Sequence, residues 1–226
     1  MEIGIIGTGN MGRSYAKYLV ELGHQVKIAN SRGPESLSNL AKETGASAAT
    51  TEETARAADI VIIAIPAKVI PELPIEILSA SKAIIIDTGN YYPSRDGKNS
   101  DIKNGLTDSE WVAKVIGHTV IKAFNNIVAS SFSTKAVVTG DSKRIALSVA
   151  GNEEKDKQVV SKLINSIGFD VVDAGPLSES WRQQPGTPAY CNDLIKDQLI
   201  SALKNADINK RAENLAIADE MARPYF

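Results

Sequence analysis

The chain has 226 residues, 43% hydrophobic and 23% charged, enough to bury a substantial core in one or two domains. Lys plus Arg number 25 against 27 Asp plus Glu, a formal net charge of -2, so electrostatics give no reason to expect nucleic acid or an anionic membrane as partner. One cysteine, Cys191, excludes an internal disulfide, and no Cys/His cluster has zinc-ligand spacing, so we expect no metal site and a reducing, cytoplasmic setting. No apolar run approaches the ~20 residues that span a bilayer. MEIGII leads straight into a glycine loop without the pattern of a secretory leader.

Short β-branched runs alternate with helical patterns along the chain. Ile3 to Ile6 reads as a strand, and Met11 to Leu22 as a helix with Met11, Tyr15, Leu19 and Leu22 on one face. Gly23 sits where a left-handed residue ends a helix. Val26 to Ala29 is the second strand, and Pro34 opens a helix over Glu35 to Glu43 that ends near Gly45. Ile60 to Ile65 is a continuous apolar run stopped by Pro66, and Ala83 to Ile86 is another. Val115, Ile116 and Thr119 to Phe124 supply at least one more strand. The polar stretch from Gly89 to Asp108 reads as a long loop. Beyond it, Ile145 to Ala150 and Phe169 to Val172 read as strands around a helix over Asp156 to Ile167. Tyr190 to Ala222 reads as largely helical. These repeated strand–helix–strand units predict an α/β fold of Rossmann type: a doubly wound, mainly parallel sheet with a small α/β-to-helical C-terminal unit. The expected division is a nucleotide-binding domain over 1–140 and a smaller substrate or dimerisation unit over 141–226.

Gly7-Thr8-Gly9-Asn10-Met11-Gly12 matches G-x-G-x-x-G between a strand and a helix, the setting in which that spacing signifies a dinucleotide. Gly7 permits the tight turn, Gly9 lets backbone approach a diphosphate, and Gly12 lets the helix pack on the strand. The helix N-terminus would supply free N–H groups and a favourable dipole. Where a carboxylate would select NAD by accepting from the ribose 2′-hydroxyl, this chain has Asn30-Ser31-Arg32. A carboxylate would repel a 2′-phosphate, whereas Ser31, Arg32 and Thr8 can donate to it, so the expected cofactor is NADP(H).

Ala64-Ile65-Pro66 and Asp87-Thr-Gly-Asn90 follow the ends of later strands, the edge where open α/β sheets bind ligands. Ile65 and Pro66 are therefore expected on the cofactor, and Asn90 on its nicotinamide side. Tyr91 and Tyr92 either stack a planar substrate or pack their loop. Asn125 and Asn126 either orient ligand amides or tie loops to backbone. Lys122 reads chiefly as a structural residue. No nucleophile–base constellation stands out, and the catalytic candidates are Asn125 and His118, the latter a possible proton donor.

Together IGIIGTGNMG, ANSRGPE, ADIVIIAIP, VIKAFNNI and DVVDAGPLSESWR make the chain resemble the NADP oxidoreductases dependent on coenzyme F420, a deazaflavin, whose relatives include the reductase domain of the STEAP metalloreductases. The resemblance implies that Thr8, Ser31 and Arg32 hold the 2′-phosphate side of NADP. It also implies direct hydride transfer between nicotinamide and a flavin, F420 or similar planar acceptor, a reaction that depends on positioning two rings. Deazaflavin-using members carry a His-Thr-Ile-like segment where this chain has Phe124-Asn125-Asn126, which leaves the acceptor open. Two other readings stand beside it: reduction of a small carbonyl or imine, and a non-catalytic NADPH-binding sensor or regulatory subunit. The apolar positions of the helical tail predict a homodimer.

Overall fold

The computed structural model describes residues 1–56, 59–137 and 143–226; the expected domain boundary at 140 and 141 lies outside the described residues. Strands β1 (Glu2–Ile6), β2 (Gln25–Ala29), β3 (Ser47–Ala48), β4 (Ile60–Ile63), β5 (Ile84–Asp87) and β6 (Ile121–Lys122) form one sheet. Its order is β3-β2-β1-β4-β5-β6, and every pairing is parallel. Two further strands, β7 (Ala146–Val149) and β8 (Asp170–Asp173), pair in parallel with each other. Lys122 and Ala150 exchange backbone hydrogen bonds of 2.8 and 3.0 Å in antiparallel sense, which attaches this pair to the β6 edge. The fold is thus Rossmann-type α/β.

The helices on the first half are α1 (Asn10–Glu21), α2 (Ser38–Thr44), α3 (Thr51–Ala55), α4 (Ile75–Ser79), α5 (Pro93–Asp96), α6 (Ser100–Lys103), α7 (Asp108–Ile116) and α8 (Ala129–Thr134). Then come α9 (Glu154–Ile167), α10 (Lys196–Asn205) and α11 (Arg211–Ala222). Among the described residues no helix is long and apolar enough to cross a membrane.

The period-two geometry of a strand sends alternate side chains to opposite faces, and here both faces are covered. Ile3, Ile5, Ile60, Ile62 and Ile86 join Tyr15 and Leu19 of α1 in one core. Ile6, Val61, Ile63 and Ile85 join Val112 and Ile116 of α7 in a second. Full burial of each such side chain is worth about 1.5–3 kcal/mol. The first core continues into Leu147, Val160 and Phe169, so one apolar layer spans β1 to β8. Tyr15 and Phe124 (ring centroids 5.1 Å apart), with Phe132 stacked on Phe169 at 5.2 Å, carry it across.

Two sequence expectations are corrected. Val115 and Ile116 belong to α7, not to a strand. A capping box starts that helix: Glu110 N donates to Thr107 Oγ1 at 3.1 Å and Thr107 N donates to Glu110 Oε2 at 2.8 Å. The β-branched pair then falls at helical spacing from Trp111 and Val112. The stretch from 89 to 108 is also more ordered than a loop. Side chains organise it: Asn99 Oδ1 accepts from Asp101 N and Ile102 N, and Asp96 Oδ2 accepts from Tyr92 N.

Candidate dinucleotide site

Parallel pairing brings the ends of β1, β2, β4, β5 and β6 to one edge, and nearly every residue singled out from sequence follows one of them. Gly7 leaves β1 with φ +108°, and a Cβ there would lie 2.2 Å from the carbonyl oxygen of Ala64. Only glycine fits this turn. A Cβ on Gly12 would lie 1.9 Å from the Gly7 carbonyl oxygen, so α1 touches the turn directly. Gly9 differs: a Cβ there would meet nothing within 4 Å. Gly9 is the N-cap of α1, and no side chain caps that helix. The free N–H groups of the first turn, which includes Asn10 and Met11, therefore face open space, as an anion requires.

A cleft of about 460 Å³ opens there, walled by Gly7, Thr8, Gly9, Ser31, Arg32, Ile65 and Pro66. Ser31 and Arg32 are exposed, and among the described residues the Arg32 guanidinium has no hydrogen-bonding or ionic partner. Their loop is fixed from beneath by Asn30, whose Oδ1 accepts from Arg32 N at 2.9 Å. Sequence reasoning missed the opposite wall, Val69, Glu72, Leu73 and Pro74, together with Thr51 and Glu52 of α3. The signal for it was position: a Pro-punctuated segment directly after the β4 end. An open cradle at Gly9, an uncapped helix and an unpaired guanidinium fit a phosphorylated dinucleotide.

The nicotinamide-side candidates are placed differently. Asn125 is buried, and its Nδ2 donates to Asn90 Oδ1 at 3.0 Å and to the Gln183 carbonyl at 2.7 Å. Gln183 Nε2 donates to Asn125 Oδ1 at 2.9 Å, and Asn90 Nδ2 donates to the Asn125 carbonyl at 3.2 Å. Three amides thus lock the ends of β5 and β6 to the 3₁₀ turn Leu177–Gln183. Asn90 is half-buried and keeps one N–H to offer; Asn125 has neither amide proton left. Asn126 is likewise buried, its Oδ1 accepting from Ser148 N at 3.4 Å. Gln183, which with Trp181 and Arg182 reads from the sequence either as lining for an acceptor pocket or as a packed interdomain turn, is fully buried in this lock.

Under this lock lies a buried charge cluster. Lys122, fully buried, donates to Asp87 Oδ2 at 3.2 Å and to the Gly89 carbonyl. Asp87 also accepts from Ser109 Oγ at 2.6 Å and from Gly89 N at 2.9 Å. Asp108 accepts from Tyr91 N at 3.1 Å, and burial raises its pKa, an effect Lys122 partly offsets. Tyr91 and Tyr92 are both buried. The Tyr92 hydroxyl bonds that of Tyr190 at 2.7 Å, and burial raises both pKa values.

His118 precedes β6 and so lies at the opposite end of the sheet, away from the cleft. Its Nδ1 and Nε2 face the carbonyl oxygens of Thr119 (2.7 Å) and Ser81 (3.1 Å). Burial pushes the Cys191 thiol up to about 11.

Comparison with known proteins agrees with the fold. Residues 2–91 match the family model described as NADP oxidoreductase, coenzyme F420-dependent. The hypothetical protein SMa0349 of Sinorhizobium meliloti has a crystal structure 31% identical to this chain, with a TM-score of 0.73, covering 87% of this chain and 96% of that one. A protein of Arthrobacter sp. FB24 with the provisional designation F420-dependent NADP-reductase is 25% identical, with a TM-score of 0.67, covering 80% and 87% of the two chains. Metalloreductase STEAP3 of Rattus norvegicus is 24% identical over 180 residues, which is 79% of this chain. The matches span only 35% of that curated relative and 39% of another, from Escherichia coli K12. The matched segment, the parallel sheet and the near full-length SMa0349 likeness agree: the chain belongs to the NADP oxidoreductase, coenzyme F420-dependent family.

Proposed function

We propose that this protein is an NADP(H)-dependent oxidoreductase that passes hydride between the nicotinamide and a flavin, deazaflavin or similar planar acceptor. The observation that carries the reading is the cleft at the sheet edge, where an uncapped helix and the exposed Ser31-Arg32 pair face one space with no carboxylate after β2. NADP(H), when bound, supplies the hydride chemistry. The Gly9 turn and the first N–H groups of α1 would hold the diphosphate, and Thr8, Ser31 and Arg32 the 2′-phosphate. Ile65 and Pro66 would pack on the cofactor, and the free N–H of Asn90 would orient its carboxamide. In this reading Asn125 shapes the acceptor side by holding Asn90.

A second reading, reduction of a small carbonyl or imine, draws on the Tyr92–Tyr190 hydroxyl pair. Hydride addition to such a carbon requires a proton for the oxygen or nitrogen, and this pair could deliver one. The proposal extends to a homodimer in the cytoplasm, favoured by the exposed Ile217, Met221 and Tyr225 on and after α11 and by the free thiol of Cys191. In this reading residues 1–140 hold the cofactor and residues 141–226 form the smaller acceptor or dimerisation unit.

Calorimetric titration with NADPH and NADH tests the reading. NADPH is expected to bind at least 100-fold more tightly, and binding of neither nucleotide removes the oxidoreductase reading. A panel of FMN, FAD, F420 and small cyclic imines, followed by loss of NADPH absorbance, then separates the two acceptor classes.

A further inference from the structure

We propose that Asn30 is a positioning residue that sets NADP(H) selectivity by joining the diphosphate loop to the 2′-phosphate loop; this rests on the cofactor reading above. Asn30 leaves the end of β2, and its amide reaches both loops. Oδ1 accepts from Arg32 N at 2.9 Å, which bends the Ser31-Arg32 turn. Nδ2 donates to Ser36 Oγ at 3.0 Å, and the Ser36 hydroxyl in turn donates to the Gly33 carbonyl at 2.7 Å. The second Nδ2 hydrogen points at Thr8 Oγ1, 3.5 Å away, across the gap between the turns that follow β1 and β2.

The direction of these bonds matters. Because Thr8 accepts from Asn30, the Thr8 hydroxyl proton stays free for a phosphate oxygen, while the Ser36 hydroxyl, within reach of both the Gly33 carbonyl and Asn30 Oδ1 at 3.1 Å, stays inside the turn. An aspartate at the same position could only accept. It would keep the bond from Arg32 N, but its second oxygen would draw the Thr8 proton inward. It would also set a negative charge beside the space for the 2′-phosphate. The amide therefore does two things a carboxylate of the same shape cannot: it orients Thr8 outward and it stays neutral.

Binding of NADPH and NADH by calorimetry tests this on the wild type, Asn30→Ala, Asn30→Asp, Arg32→Ala and the Asn30→Ala/Arg32→Ala double variant, with thermal melting of each. Asn30→Ala is expected to weaken NADPH at least 10-fold and NADH less than 3-fold. In the Arg32→Ala background, Asn30→Ala should weaken NADPH by clearly less than in the wild type, since part of its effect passes through the Arg32 turn and the remainder through Thr8. Asn30→Asp, which keeps the shape, should lower the NADPH-over-NADH preference at least 100-fold, so the test survives if the alanine variant melts early. Equal losses of the two nucleotides, additive effects of the two alanine changes, or an unchanged preference in Asn30→Asp overturns the proposal. A wild type that binds neither nucleotide overturns the cofactor reading itself, a separate result.

Discussion

The two ends of the candidate site are built on opposite principles. At the β1 and β2 ends, donors are exposed and unsatisfied: the α1 N-terminus is uncapped, and Arg32 points into solvent. At the β5 and β6 ends, polar groups are buried and engaged: Asn125 has its amide protons on Asn90 and Gln183, and Lys122 sits on Asp87 and the Gly89 carbonyl. A free donor in a cleft waits for a ligand, whereas a satisfied one holds the chain together. Substitutions at the two ends should therefore separate cleanly, the first altering binding and the second stability.

The largest effect is expected at the buried end. Lys122→Met leaves Asp87 in the interior without its cation and should cost about 3–5 kcal/mol, read as an earlier midpoint in urea unfolding. A shift under 1 kcal/mol would show that Ser109 and Gly89 alone satisfy Asp87. At the open end, Gly9→Val should leave the melting temperature nearly unchanged, because its Cβ meets no atom within 4 Å. The same side chain fills the space that the proposed function gives to the diphosphate, so nucleotide affinity should fall at least 100-fold, about 2.7 kcal/mol. Retained affinity would move the diphosphate away from this turn. Asn125→Ala sharpens the comparison, since it breaks the amide lock without touching the cleft. It should lower stability by about 1–3 kcal/mol and slow acceptor reduction while leaving the NADPH dissociation constant within 3-fold. A matching loss of NADPH affinity would place Asn125 on the cofactor.

The smallest effect concerns pH. Burial raises the pKa of Asp108 above its unfolded value, so the folded state binds the proton more tightly. That contribution is full below the unfolded carboxylate pKa and is lost as pH rises through the raised folded pKa. Asp108→Asn keeps an oxygen for Tyr91 N and should flatten this decline in unfolding curves taken from acid to neutral pH. An unchanged slope would assign the decline to other groups.

Much of the open end was legible because its determinants are local. The spacing Gly7-x-Gly9-x-x-Gly12 encodes a turn, a cradle and a helix contact within six consecutive positions, and the lack of a carboxylate after β2 can be read directly. The capping box at Thr107 and Glu110 went unread, and the apolar Val115–Ile116 pair suggested a strand. A helix that buries one face against α4 and the second core accepts β-branched residues, so packing overrode propensity. His118 looked available for proton transfer as a lone histidine near a strand. Only strand direction puts it at the far end of the sheet.

By itself, then, the sequence determined the parallel α/β frame, the glycine turn after β1 and the donor-rich Asn30-Ser31-Arg32 loop after β2, because each depends on residue types a few positions apart. The tertiary structure alone decided which amides are free. Asn125 and Gln183 are 58 positions apart, and Asn90 and Asn125 are 35 apart. Whether such a side chain greets a ligand or another amide depends on which strand ends the sheet brings together, and a hydrogen bond between distant residues leaves no periodic trace along the chain.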